Sequence, residues 1–289
     1  MSALRDTAWA KLNLTLEVLG RRADGFHELR SLVAFTRLGD PVELEPQDAL
    51  ELVIEGPFAQ ALGGNNLILK AAKAASELVP GLRLGRFRLT KTLPVAGGVG
   101  GGSADAGAAL RLIARANEGS ITEAQLATLA SGLGSDVRVC LESRPALVTG
   151  RGEHVTPAGG FPSCGVLLAN PGVPLATEAV FAALRAPAFT PPALRQEPAL
   201  DFHGDFAAML DYALPRGNDL EPPAARLVPE IREVLASLLA LSGVRLARMS
   251  GSGPTCFALF ATEAEAVQAR ATLAAQRPAW WIAASTLGD

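Results

Sequence analysis

Residues 93–112 read LPVAGGVGGGSADAGAALRL. Five glycines fall within six positions, Gly97, Gly98, Gly100, Gly101 and Gly102, broken only by Val99. Ser103, Ala104 and Asp105 follow, and residues 106–116 have the composition of a helix. Upstream, RFRLTKTL (86–93) alternates in the manner of a strand. Glycine lets a backbone approach a ligand closely and adopt positive φ. A helix start exposes unpaired N–H groups and the positive end of the macrodipole. A glycine-rich loop feeding a helix is therefore a natural phosphate cradle, and Ser103 adds a hydroxyl at its entrance. Two familiar loops do not match. A P-loop needs Lys and then Ser or Thr after its last glycine, whereas Ser103 follows Gly102 directly. In the dinucleotide fingerprint a third glycine belongs where Ser103 stands. The plain alternatives are a flexible linker or a close helix crossing, although a linker does not normally separate a tidy strand from a tidy helix.

Working outward, the 289 residues are enough for one large domain or two smaller ones with real cores. A hydrophobic content of 49% with only 19% charged residues excludes a disordered chain. Twenty-six basic against 29 acidic residues, a net charge of −3, gives no sign of a general nucleic-acid binder. Cys140, Cys164 and Cys256 are far apart and form no C-x-x-C pair, which points away from a disulfide framework or zinc site and towards a reducing cytoplasm. The opening MSALRDTAWAKLNL lacks the apolar core of a signal peptide, and the apolar runs are too short to cross a bilayer. A cytoplasmic protein, with neither a nucleic-acid nor a membrane partner, is expected. The oligomeric state is not readable.

From Ala8 to Val18 apolar residues alternate with Lys11, Asn13, Thr15 and Glu17, predicting a half-buried strand. Residues 21–25 read as a turn, and 29–38, 42–46 and 50–56 as further strands. Asn65 or Asn66 can cap a helix over 67–79, and Thr122 another over 123–133. Strands are expected at 146–152 and 165–172, an irregular proline-rich connection at 183–202, and helical spacing from Leu227 to Leu239. Residues 245–260 hold a Gly-rich turn and then an apolar strand, followed by a helix (263–276) and a strand (280–286). Mixed strands and helices in both halves predict an α+β fold. The Pro/Gly cluster at 157–162 places a boundary between domains at 1–158 and 159–289.

The pattern P-x-x-x-G-x-G-G-G-S-x-D-A at 94–106 resembles the ATP-binding motif of the GHMP small-molecule kinases. AKLNLTLEVLGRRADGFHELRSLV (10–33) and RMSGSGPTCFALF (248–260) are similar to the first and third motifs of one branch, whose acceptor is the 2-hydroxyl of a methylerythritol carried on cytidine diphosphate. NNL at 65–67, GRGE at 150–153 and NDLE at 218–221 also match, so the resemblance spans nearly the whole chain. It implies a two-domain α+β fold with the active site in the cleft between the domains. It also implies an ATP-dependent kinase in non-mevalonate isoprenoid precursor synthesis, with ATP as donor, Mg²⁺ as cofactor and a cytidine diphosphate small molecule as partner. Other GHMP kinases of the homoserine or mevalonate type, and a non-catalytic nucleotide-binding regulator, are the alternatives. The segment Asp24 to His27 argues against the former, and retention of both Lys11 and Asp136 against the latter.

Residue by residue, the resemblance makes Asp136 the base that takes the acceptor proton, with Lys11 beside it. Pro94, Gly97, Gly98, Val99, Gly100, Gly101, Gly102 and Ser103 would hold the triphosphate, and Asn66, Leu67 and Lys91 would lie near the adenine. Phe26 and Phe181 would sandwich the cytosine, His27 would bond its edge, and Asn13, Thr177, Ser250 and Gly251 would border the substrate. On pattern alone, Lys11 and Asn13 read as a solvent face, Asp136 as a turn residue, Lys91 as a surface lysine and Phe181 as core. His154 and His203 have no motif support and read as surface residues. No carboxylate stands out as a metal ligand; Asp105 reads equally as one or as a helix N-terminal charge. Three positions depart from the pattern: Ala104 replaces a second serine, Arg138 replaces a proline two residues after Asp136, and Phe26 replaces a tyrosine.

Overall fold

The structure is a computed structural model describing residues 3–47, 49–64, 66–190 and 199–288. In chain order it opens with β1 (Leu4–Asn13), β2 (Glu17–Arg21), β3 (His27–Glu45), β4 (Glu51–Glu55), α1 (Leu67–Leu78) and β5 (Arg86–Thr90). Then come α2 (Gly101–Ala116), α3 (Glu123–Leu133), α4 (Val137–Glu142), β6 (Ala146–Gly150), β7 (His154–Pro157) and β8 (Cys164–Asn170). The last elements are α5 (Thr177–Leu184), α6 (Phe206–Ala213), α7 (Glu221–Leu227), α8 (Glu230–Leu239), β9 (Leu246–Met249), β10 (Cys256–Phe260), α9 (Glu263–Gln276) and β11 (Trp281–Leu287). The α+β expectation holds. Among the described residues no helix is long and apolar enough to cross a membrane.

Two compact units form, each discontinuous in sequence. One contains residues 1–10, 39–95 and 100–143, and the other contains 11–38, 96–99 and 144–289. A single cut near 158 does not describe them, because β1 and β3 each run from one unit into the other and β7 occupies the expected boundary.

In the first unit the end of β3 pairs antiparallel with β5, and β5 pairs parallel with β4. The four helices α1–α4 pack on one another. Each helix has a local cause. Asn66 Oδ1 accepts from the Ile68 amide (2.8 Å), capping α1, whose Ile68, Ala71, Ala72 and Ala75 face inward. The alternative cap, Asn65, lies outside the described residues. Thr122 and Gln125 form a capping box at the start of α3. Gly107 in α2 faces the backbone of α4, where a Cβ would lie 2.7 Å from the Cys140 carbonyl oxygen. The glycine therefore sets how closely α4, which Asp136 begins, seats on α2.

In the second unit the first half of β3 pairs with β2 and β6, and β6 with β7. A further antiparallel set runs β11–β8–β10–β9, with Leu287 of β11 paired to Thr36 of β3. All seven residues of β8 are buried, as befits a strand flanked on both sides, and α8 and α9 pack on this sheet. One apolar cluster joins Leu167, Ala169, Ile231, Val234, Leu238, Phe260 and Leu273. The expected helical stretch from Leu227 to Leu239 is two helices, α7 and α8, broken by Pro229. Within the expected irregular connection, residues 191–198 lie outside the described ones.

Two strand expectations and one helix start need correcting. The alternation from Ala8 to Val18 is not one half-buried strand: β1 stops at Asn13, and Lys11, Asn13 and Thr15 are buried as well as their apolar neighbours. The polar side is covered because Thr15 engages β3, with its carbonyl accepting from Ser31 Oγ (2.5 Å) and its Oγ1 from the Leu32 amide (2.9 Å). The strands expected at 29–38 and 42–46 are one strand, β3. Gly39 and Asp40 look like a turn, but Gly39 admits the β1 backbone, where a Cβ would lie 2.8 Å from the Ala8 carbonyl carbon. Asp40 is buried on Lys91. Finally, α2 starts at Gly101, so two of the loop glycines are helical.

Gly107→Ala should destabilise the protein by about 1–3 kcal/mol, the usual cost of overpacking a tight contact, despite alanine's better helix propensity. Equilibrium urea unfolding measures it, and a gain in stability would contradict the close α2–α4 seat.

Candidate active site

The glycine loop is strained into a defined shape. Ala96, Gly98 and Gly100 have φ of 54°, 75° and 65°, so the left-handed region recurs at alternate residues. Gly100 is the N-cap of α2 and supplies no side-chain cap, so the helix opens with bare backbone donors at Gly101, Gly102 and Ser103. Gly102 is exposed and Ser103 half-buried, while Pro94 and Gly97 are buried. This is the geometry that favours an anion.

In the second unit the first half of the loop lies on the turn that follows β9. The Thr255 amide donates to Gly97 O (3.1 Å) and the Lys11 amide to Val99 O (2.9 Å). Ser250 Oγ donates to Gly98 O (2.9 Å) and accepts from the Asn13 amide (3.2 Å). The approach is so close that a Cβ on Gly98 would lie 2.7 Å from the Gly253 nitrogen. A Cβ on Gly251, itself at φ 56°, would lie 2.9 Å from Gly98 O. Beneath the loop, Lys11 Nζ donates to Asn13 Oδ1 (3.1 Å) and Asn13 Nδ2 to Ser31 Oγ (2.8 Å). Lys11, Asn13, Gly97, Gly98, Val99, Ser250 and Gly251 are therefore brought together, and the solvent-face reading of Lys11 and Asn13 does not apply. Thr177 Oγ1 bonds Ser252 Oγ (2.8 Å), which attaches the first residue of α5 to the same turn.

In the first unit, Lys91 is neither on a strand surface nor free for an adenine. Its Nζ reaches Asp40 Oδ2 (2.6 Å) and Asp105 Oδ2 (2.7 Å), its amide donates to Glu55 O, and its carbonyl accepts from Phe58. The ammonium lies under the loop, 3.2 Å from where a Cβ on Gly101 would be. Burial opposes the Lys91 charge, but the two carboxylates outweigh it and raise its pKa. Burial, with Asp40 adding and Lys91 opposing, pushes the Asp105 carboxyl up to about 7. Asp105 therefore belongs to a buried triad rather than to an exposed helix-end charge or a metal site. Asn66 has its side chain committed as a helix cap, and Leu67 approaches Gly102, with Cδ1 3.7 Å from a Cβ placed there. Asp136 is half-buried at the start of α4 and makes no side-chain cap bond to it. Arg138 pairs with Glu142 along the same helix (2.7 Å).

The expected cytosine sandwich is assembled differently. Phe181 stacks on His27, with centroids 4.7 Å apart and planes 27° apart. Partial burial, with Arg21 nearby, lowers the His27 pKa, so the ring is neutral at pH 7. Phe26 is 50% exposed, at the tip of a turn held by Asp24, which accepts from the Phe26 amide (3.1 Å) and from Arg22 (3.2 Å). The Arg151 guanidinium lies over the Phe26 ring at 4.8 Å. Asp40 carried no sequence signal; Arg151, Asn218 and Arg248 were visible only inside the GRGE, NDLE and RMSGSGPTCFALF matches. His154 and His203 are exposed. The three cysteines are buried thiols, and burial pushes Cys164 up to about 12.

Residues 66–143 match the family model of the GHMP kinases N terminal domain, and residues 195–279 that of GHMP kinases C terminal. Those matches define the class as a GHMP-type small-molecule kinase. The 4-diphosphocytidyl-2-C-methyl-D-erythritol kinase of Rhodopseudomonas palustris (strain BisB5) is 47% identical over 99% of this chain and 100% of its own length. That of Nitrobacter hamburgensis (strain DSM 10229 / NCIMB 13809 / X14) is 50% identical over 98% of this chain and 95% of its own. A crystal structure of 4-(cytidine 5'-diphospho)-2C-methyl-D-erythritol kinase aligns with a TM-score of 0.79 at 34% identity, covering 99% of this chain and 100% of that one. The chain belongs to the 4-diphosphocytidyl-2-C-methyl-D-erythritol kinase family.

Asp105→Asn keeps an acceptor for Lys91 but cannot titrate. The folded carboxyl, near 7, lies above its unfolded value of 3.8, so the native state holds the extra proton between them and stability falls as pH rises through that window. The melting temperature of the variant minus that of the parent should therefore grow between pH 5 and pH 8. A flat difference in scanning calorimetry would show that Asp105 is already ionised throughout.

Proposed function

We propose that the protein transfers the γ-phosphoryl group of ATP to the 2-hydroxyl of 4-diphosphocytidyl-2-C-methyl-D-erythritol, giving the 2-phosphate and ADP. The observation that carries the reading is the left-handed glycine loop ending in the uncapped start of α2, in a chain of this family. Bare amides at Gly101, Gly102 and Ser103 suit the phosphates of a nucleotide, and Leu67 and Asn66 border that helix mouth. The acceptor oxygen forms its bond to the γ-phosphorus as the bond to the bridging oxygen of ADP breaks, and its proton passes to a carboxylate. Asp136 is the assigned base. A carboxylate is a weak base for an alcohol, which suffices because phosphoryl transfer depends mainly on positioning and charge stabilisation. Lys11, whose ammonium donates to Asn13 Oδ1, is the cation that the family resemblance assigns to the same step.

Mg²⁺ enters with the nucleotide, as part of the Mg–ATP substrate, and neutralises phosphate charge. Among the described residues no three His, Cys, Asp or Glu side chains converge into a metal cage, and Asp105 is bound to Lys91. At the cytidine end, the exposed face of Phe26 and the His27–Phe181 stack offer rings for a pyrimidine, a contact on the order of 1–3 kcal/mol. The neutral His27 has one donor and one acceptor nitrogen for the cytosine edge. Thr177 completes that side of the substrate set. The expected setting is the cytoplasm.

A coupled ADP-release assay with the cytidyl substrate, homoserine and mevalonate, each with and without Mg²⁺, tests the acceptor. Preference for an alcohol lacking cytidine would overturn the reading. Asp136→Asn should lower turnover at least about 100-fold, the usual size of a general-base contribution, while affinity for a non-hydrolysable ATP analogue stays unchanged. Unchanged turnover would reject the assigned base.

A further inference from the structure

Resting on that reading, we propose that Asn218 is a positioning residue for nucleotide binding: from the turn ahead of α7 it sets the Ser250 turn, and through Ser250 it sets the glycine loop. Its Nδ2 donates to two carbonyls on either side of Ser250, Met249 O (2.8 Å) and Gly251 O (2.9 Å). Its Oδ1 accepts from the Leu220 amide (2.9 Å). The side chain is 7% exposed, so neither carbonyl has water as a ready substitute. An asparagine is the small side chain that offers two donors and an acceptor at once. Aspartate would turn an acceptor towards two carbonyls, and alanine would leave them without this donor.

The neighbouring residues fix the donor in place. Glu221 Oε2 accepts from the Met249 amide (3.0 Å), so Met249 is held at its nitrogen by Glu221 and at its oxygen by Asn218. Asp219 Oδ2 accepts from the Val18 amide (2.8 Å), and residues 217–219 exchange backbone bonds with Leu16. The turn segment is thus tied to the β1–β2 connection on one side and to β9 on the other. The Ser250 hydroxyl, framed by the two gripped carbonyls, makes the bonds to Gly98 O and from the Asn13 amide. A Cβ on Gly251 would lie 2.9 Å from Gly98 O, so the turn leaves the loop no slack and a displaced turn moves it.

The test is calorimetric binding of a non-hydrolysable ATP analogue with Mg²⁺ to the full chain, which needs no acceptor and so stands or falls separately from the choice of acceptor. Asn218→Ala and Asn218→Asp should each weaken the analogue about tenfold, the size expected when a buried carbonyl loses its donor. Ser250→Ala, which removes only the relaying hydroxyl, should reproduce that loss. The double variant Asn218→Ala/Ser250→Ala should be no weaker than the worse single, because both cut one path. In turnover of the Asn218 variants, KM for ATP should rise while KM for the cytidyl substrate stays within about twofold. Parent-like affinity in Ser250→Ala overturns the proposal even if the Asn218 variants fail to fold. Losses that multiply in the double variant overturn it too, since Asn218 would then act by another route.

Discussion

The structure depends on one backbone-on-backbone contact, that of Gly98 against the turn from Ser250 to Gly253. No residue with a side chain can stand at position 98, because its Cβ would enter the Gly253 backbone, and position 251 is closed in the same way by Gly98 O. Two glycines face each other, each in the left-handed region, and hydrogen bonds from Thr255 and Ser250 hold them there. A loop this poor in side chains would otherwise carry the largest conformational entropy in the chain. Holding three of its carbonyls, at Gly97, Gly98 and Val99, removes much of that freedom before any ligand arrives.

The second half of the loop is ordered by charge. Lys91, between Asp40 and Asp105, brings a fixed ammonium beneath Gly101. Two buried acids and one base leave the triad one negative charge in excess, and the structure answers in two ways. Asp40 takes its surplus from the Thr92 and Leu93 amides (2.5 and 2.9 Å) and from Thr92 Oγ1. Asp105 Oδ1 has no hydrogen-bond partner, and its carboxyl is the group driven towards protonation. Deleting Lys91 would set two buried carboxylates against each other, the kind of uncompensated burial that costs about 3–5 kcal/mol. Its conservation of loop shape is therefore electrostatic as well as steric.

Much of this was readable from residues alone. The glycine loop, the α+β class, the caps at Asn66 and Thr122 and the apolar strand Cys164–Asn170 follow from local pattern. What was not readable depends on long-range pairing. Lys91 looks like the outer face of a strand until Asp40, 51 positions away, is brought to it. Gly39-Asp40 looks like a turn because sequence does not reveal that β1 crosses there. The His27–Phe181 stack was unreadable for a similar reason, since sequence does not reveal which ring reaches Phe181. The unit boundaries lie elsewhere than the cut near 158 because β1 and β3 each continue from one unit into the other, and a composition shift cannot mark a strand that continues through.

The three departures from the family pattern each find a local explanation. Ala104 is buried in the first unit, facing away from the helix mouth that Gly102 and Ser103 open, so a hydroxyl there would have to be satisfied inside the protein. Its loss takes nothing from the donors that remain. Arg138 stands where the pattern has a proline, in the first turn of α4, and its charge is turned along that helix to Glu142. Such a partly exposed i, i+4 pair adds only about 0.3–0.5 kcal/mol, enough to favour the helix. Phe26 lacks the phenol, and Arg151 covers one face of its ring while the turn from Arg22 to Asp24 fixes its backbone. The residue stays 50% exposed beside that cation. The three substitutions leave intact Lys11, Asp136 and the glycines, the residues to which the family resemblance assigns charge and backbone roles.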